Sequence, residues 1–262
     1  MGHVFQRAAR RSRAEATNAL KRVPGREASA NRWHVEIRTP REIHMLTRVL
    51  EPEVMDSAEE ARNYDAMDHS AVNQVFTVDF LARRVSSGRV IDVGTGTAQI
   101  PIEVCRRHPN VTVVAVDAAE HMLRQGRYNV ERAGFGSRIE LRLCDAKRLP
   151  FADGAYSAVM SNSIVHHIPE PRRVLAEMVR VVSPGGIVFV RDLLRPATDA
   201  EVLALVELHA RDCNAFQRGM FDASLRASLS LDEIRAIVAS LGFDPDGVKR
   251  TTDRHWTWSA EK

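Results

Sequence analysis

The sequence predicts an α/β fold built on a mostly parallel sheet with helices on both faces, and three observations predict it. Residues 89–102 read RVIDVGTGTAQIPI, an apolar run that stops in an acid and a Gly-x-Gly turn before an amphipathic segment opens. That is a strand, a tight turn and a helix start. Downstream, short β-branched runs alternate with segments of helical period, as parallel strands joined by crossover helices require. Three successive strands also end in or near an acid, at Asp92, Asp117 and Asp145. Ligands collect at the carboxyl ends of parallel strands, so this edge is the expected cofactor seat.

Taken in order, the chain begins with a basic stretch. Residues 1–44 hold ten Lys or Arg and four Asp or Glu, a net charge of +6, and the remainder carries −3. The pI of about 9.0 therefore describes a mildly acidic body with a basic tail, and nucleic acid is not the expected partner. The tail lacks sustained apolar periodicity and is expected to be disordered or marginally helical. Its Arg-rich start fits a transit peptide, an RNA-binding arm, or an over-extended start with Met45 or Met55 as the true beginning.

Residues 45–85 form the next unit. Ser57 followed by Glu60 is a capping-box pattern, and the stretch after it reads as one broken helix or two. Val72, Val75, Phe76, Val78, Phe80 and Leu81 supply an apolar face. The cluster Tyr64, Met67, Asp68 and His69 offers π and thioether contacts suited to a sulfonium or an apolar substrate; the plainer alternative is a helix packed on the sheet.

Residues 86–262 alternate strand and helix. Val90, Ile91 and Val93 suit a strand buried on both faces, and Thr95 or Thr97 is placed to cap the helix over 100–107. A strand at 111–116 and a helix at 119–132, stopped near Gly134, follow. Then come strands at 139–144 and 156–161, a helix at 171–182, a Pro184-Gly185-Gly186 turn and a strand at 187–193. One long helix is expected from 199 to about 218. Ser230 with Glu233 opens a last helix that Gly242 closes, and 248–259 has room for a final hairpin.

Composition narrows the class. The 262 residues are 44% hydrophobic, enough for one large domain with an appendage, and no apolar run approaches the 18 residues of a membrane span. Cys105, Cys144 and Cys213 have no metal spacing and read as reduced thiols, which points to the cytoplasm.

The turn itself speaks against a dinucleotide. The Gly-x-Gly-x-x-Gly fingerprint needs a third glycine at 99, where Gln99 stands. Asp92, two residues before the first glycine, would repel a pyrophosphate and favour a cationic ligand. Asp92-Val93-Gly94-Thr95-Gly96-Thr97-Ala98 resembles the acid-x-Gly-x-Gly-x-Gly motif of the class I S-adenosylmethionine-dependent methyltransferases, with alanine for the last glycine. The stretch CDAKRLPFADGAYSAVMSNSIVHHIPEPRRVLAEMVRVVSPGGIVFV is similar to the small-molecule branch that includes the ubiquinone and menaquinone methyltransferases. The resemblance covers roughly 73–258. It implies a Rossmann-like seven-stranded sheet in the order 3-2-1-4-5-7-6 with strand 7 antiparallel, S-adenosyl-L-methionine as cofactor, and the 45–85 helices as a lid across the mouth.

The resemblance also implies roles. Asp92 would hold the cofactor's ammonium end, directly or through water, and the Gly94, Thr95 and Gly96 backbone would lie against its methionine part. Asp117, with Ala118 beside it, would accept both ribose hydroxyls, although a helix N-cap is a compatible role for Asp117. Met122 would cover the adenine, Asp145 and the Ala146 backbone would read its amino group, and Asn162 would meet the methionine end or the reacting centre. The transfer is an in-line displacement, which depends on alignment and exclusion of water and needs a base only for some acceptors. His166 and His167 are the candidate bases. Adjacent residues of an extended segment face opposite ways, so one of them is expected to be structural. No further histidine or carboxylate stands at metal-ligand spacing, so no metal is expected. Arg195 is placed either to grip a substrate anion or to pair with a neighbouring acid; Tyr64, Met67 and His69 line the lid side. A small-molecule methyl acceptor is the expected partner. The alternatives are an RNA or protein methyltransferase using the tail, and a noncatalytic cofactor-binding regulator. Nothing in the pattern fixes the oligomeric state.

Overall fold

A computed structural model describes residues 46–52, 54, 56–67, 69–85 and 88–262. The predicted tail and Asp68 lie outside the described residues. The sheet has seven strands in the order β3-β2-β1-β4-β5-β7-β6. Its strands are β1 (Gly88–Val93), β2 (Val111–Asp117), β3 (Ile139–Leu143), β4 (Tyr156–Asn162), β5 (Val182–Leu193), β6 (Val248–Arg250) and β7 (His255–Glu261). All neighbouring pairs are parallel except those of β7, which runs antiparallel to β5 and β6. Strand order reverses between β1 and β4, so a crevice opens at their carboxyl ends.

The helices are α1 (Ala58–Asp65), α2 (Ser70–Leu81), α3 (Gln99–Arg107), α4 (Glu120–Ala133), α5 (Pro171–Val181), α6 (Asp199–His209), α7 (Ala215–Ala227) and α8 (Leu231–Ser240). Alternation along the strands divides the core. Ile91, Val93, Val114, Val116 and Val190 pack with α5 and α8 residues such as Leu175, Met178 and Ile234. Val90, Val113, Ala115, Met160 and Phe189 pack on the other face with Phe76, Phe80, Ile102 and Val130.

Four local expectations are corrected. The helix at 199–218 is two helices, because Asn214 caps a new start: its side chain accepts from the Gln217 amide and Gln217 returns a bond to the Asn214 amide. Residues 184–186 do not end a strand. β5 runs through them, with a register shift against β4 between Tyr156 and Ala158 that takes up the irregularity. Neither Thr95 nor Thr97 caps α3; its N-cap is Ala98, buried and left-handed at φ 62°. The alanine at the third glycine position thus keeps the backbone a glycine would have taken. Finally, α2 is not a lid. Phe76 and Phe80 lie against Phe189 of β5 with centroids 5.2 and 5.8 Å apart, and Arg191 on β5 reaches Asp79 at 2.6 Å. Val75 and Val78, counted in the apolar face, are exposed.

Candidate active site

The pocket sits at the carboxyl ends of β1, β2, β3 and β4. It is lined by Tyr64, Gly94, Gly96, Asp117, Ala118, Met122, Asp145, Ala146, Asn162 and His167, with Val54, Ile164 and Ile168 among the rest. Ten of the expected cofactor, base and lid residues therefore meet the same space, from five segments of chain. Gly94 is left-handed at φ 76°, and a Cβ on it would stand 2.0 Å from Ile164 Cγ2. Gly94 thus also admits the Ile164 side chain while staying in the pocket wall. Gly96 (φ 54°) lies under Tyr64, whose Cε1 would be 3.6 Å from a Cβ there.

The strand-end acids are held in distinct ways. Asp117 Oδ2 accepts from the Gly96 amide at 2.7 Å and Oδ1 from the Ala119 amide at 2.9 Å. Burial raises its pKa against those amides, and each oxygen keeps a lone pair for a hydroxyl. Asp145 is exposed. Burial raises it, but the Lys147 amide at 2.8 Å and ammonium at 3.2 Å together outweigh that, and its pKa is lowered. Asp92, 2% exposed, is not part of the pocket wall, contrary to direct contact, and neither is Thr95. Burial pushes the Asp92 carboxyl up to about 7, the Asp117 charge adds to this, and the Thr95 hydroxyl opposes it. Tyr64 is pushed up to about 12 by burial and then by Asp117, Asp92 and Asp65. Asn162 Oδ1 is buried with no hydrogen-bond partner.

The histidines do not lie on an extended segment. Val165–His167 is a 3-10 turn, and the two rings stack at 4.1 Å between centroids with a 35° tilt. The premise of opposite faces fails. His166, 3% exposed, turns inward to Asp192, with Nδ1 2.5 Å from Oδ1; His167 joins the pocket wall. Asp192 also accepts from the Val165 amide at 2.5 Å. Burial alone would lower the His166 pKa, but the Asp192 and Glu51 charges raise it. His167 is pushed down to about 4 by burial and the neighbouring His166, so its ring is uncharged at neutral pH.

Sequence reasoning missed Glu51. Its Oε1 lies 3.1 Å from His167 Nδ1 and 3.5 Å from His166 Nε2, across more than a hundred residues of chain. The placement comes from a strap, residues 46–52. Arg48 donates to the carbonyls of Ala227 at 2.6 Å and of His166 and Ile168 at 3.0 Å, and the Val49 amide bonds Arg226. No local pattern marks an acid in an irregular strap, so no sequence signal pointed to it.

The remaining candidates are placed elsewhere. Arg195 is buried and bonds Glu233 at 2.6 Å and the Ser228 carbonyl at 2.9 Å, so it pairs with an acid rather than meeting a substrate. Met67 lies in the turn after α1, outside the pocket wall. His69 is outside it too, its ring 4.9 Å from that of Tyr64.

A crevice at the switch point, ringed by carboxylates and an unpaired amide oxygen beneath a Gly-x-Gly turn, is the candidate site. Residues 90–186 match the family model described as "Methyltransferase domain", and that segment is a methyltransferase domain of the class I, S-adenosylmethionine-dependent kind. The chain is similar to the ubiquinone/menaquinone biosynthesis C-methyltransferase UbiE of Geobacter sulfurreducens, 32% identical over 42% of this chain and 43% of that protein. It is also similar to the malonyl-[acyl-carrier protein] O-methyltransferase of the same organism, 30% identical over 69% of this chain and 64% of that one. The chain thus spans less than half the length of the first of these relatives. A crystal structure of an S-adenosylmethionine-dependent methyltransferase from Aquifex aeolicus shares the fold, with a TM-score of 0.58 and 17% identity, covering 78% of this chain and 98% of that one.

Proposed function

We propose that the protein transfers a methyl group from S-adenosyl-L-methionine to a small-molecule acceptor. One observation carries the reading: the fold gathers Asp117, Asp145, Asn162 and Met122 around one crevice with an amide oxygen left unpaired. The cofactor's groups fit these residues. Asn162 Oδ1 lacks a donor, which an ammonium supplies; Asp117 offers two oxygens to a vicinal diol, and Met122 an apolar surface to the adenine. Asp92 sits behind the wall, and a cation there would draw its carboxyl, pushed up to about 7 by burial, into the charged form. When bound, the cofactor supplies an electrophilic methyl on a sulfonium.

The protein's own contribution is alignment and exclusion of water. Val54, Ile164 and Ile168 offer an apolar surface to the acceptor's body. His167, uncharged and backed by Glu51, stands where a hydroxyl or amine acceptor loses its proton. Tyr64 and the 46–52 strap serve as the cover; the 45–85 unit as a whole is only partly lid, since α2 belongs to the core. A cytoplasmic location accords with this reading: no described helix is long and apolar enough to cross a membrane.

The test is transfer of isotope-labelled methyl from the cofactor to a panel of phenols, carboxylates and amines. Turnover on at least one acceptor is expected, with His167→Ala lowering kcat by about 10²–10⁴-fold and cofactor affinity little. Equal loss of both would give His167 a structural role instead.

A further inference from the structure

Glu51, His166 and His167 are brought together more tightly than methyl transfer alone demands. Their ligating atoms lie within 4.8 Å of one another. His167 Nδ1 is buried, makes no hydrogen bond, and yet stands 3.1 Å from Glu51 Oε1. A buried nitrogen with no partner, so close to a carboxylate, is a group that calls for one. Donor atoms 2.0–2.1 Å from a tetrahedral cation stand about 3.3–3.4 Å apart, and the Glu51 spacings of 3.1 and 3.5 Å bracket that edge.

The outer contacts also suit a ligand set. His166 Nδ1 is tied to Asp192 at 2.5 Å, which leaves Nε2 turned toward Glu51 and fixes the ring as a carboxylate fixes a ligating imidazole. Ser224 Oγ approaches the two Glu51 oxygens at 3.1 and 3.4 Å and orients the carboxylate. Two imidazoles and a carboxylate suit zinc or cobalt better than magnesium or calcium, which prefer oxygen throughout. His167 belongs both to this cluster and to the pocket wall.

Resting on the reading of the pocket as a methyl-transfer site, we propose that Glu51, His166 and His167 bind one divalent cation of the zinc type, with its fourth position open to the pocket. An oxygen or nitrogen of the acceptor fills that position, and polarisation of the acceptor passes from His167 to the cation. Linear spacing hid the site: two ligands are adjacent and the third arrives on the strap.

The experiment strips the full chain with a chelator and titrates it with cobalt(II) alone, reading the visible bands of four-coordinate cobalt, and then displaces the cobalt with zinc(II). One saturable equivalent is expected, with Glu51→Gln weakening the affinity at least tenfold. Ser224→Ala serves if that variant does not fold; by loosening Glu51 it weakens binding about tenfold. Absence of a saturable equivalent, or wild-type affinity in the folded variant, contradicts the site. S-adenosylhomocysteine is titrated into the same preparations. Its failure to bind would overturn the cofactor reading, whereas failure of cobalt alone overturns only the metal site.

Discussion

Asp92 is a carboxyl that the fold buries at the cost of stability. Its carboxyl is buried in β1 and pushed up to about 7, with burial the leading cause. The folded protein therefore holds a proton that the unfolded chain releases near 3.8. Below about pH 4 the group is protonated in both states and costs nothing; the penalty grows through the interval and is complete above pH 7, roughly 4 kcal/mol at most. A cationic ligand nearby would offset it. Cofactor-free Asp92→Asn is thus expected to melt higher than wild type at pH 8, to converge with it near pH 4, and to bind the cofactor more weakly. Equal melting at pH 8 would show that the carboxylate is not strained. Asp92 was legible from its place before the Gly-x-Gly turn. Glu51 was not, because its meaning lies wholly in contacts with residues far along the chain.

At the scale of elements, the strap at 46–52 matters out of proportion to its length. It has no regular structure, and its hold comes from one guanidinium spread over three carbonyls, those of Ala227, His166 and Ile168. Charge-assisted bonds of this kind are worth more than neutral ones. Arg48→Ala is expected to cost about 2 kcal/mol and to speed amide exchange in the strap and the 165–167 turn while leaving β1 and β2 protected. Exchange unchanged in both segments would contradict the strap's role in holding the histidines. Most elements were readable from period and caps: Gly134 closes α4 and Ser230 opens α8 as the sequence indicated. The break between α6 and α7 was readable too, since Asn214 and Gln217 have capping-box spacing. The role of α2 was not readable, because an amphipathic segment fits a lid and a sheet-covering helix equally well until Phe189 is placed beneath it.

For the whole molecule, sheet order and chemistry are one fact. Reversal between β1 and β4 opens the crevice, and the parallel strands deliver Asp117, Asp145 and Asn162 to its rim. The order itself came from resemblance to a family, since strand pattern alone predicts a parallel sheet and not its sequence of neighbours. The rim was legible because strand ends are local; the cluster behind His167, formed by Glu51, His166 and Asp192, depends on tertiary contacts and was half-seen. The central claim is tested most directly by calorimetric titration of the full chain and of Asp117→Ala with S-adenosylmethionine, S-adenosylhomocysteine and NAD. The account predicts that wild type binds both sulfur ligands at one site and not NAD, and that Asp117→Ala loses about 1–3 kcal/mol of that binding. Binding of NAD in their place, or an affinity indifferent to Asp117, would contradict it.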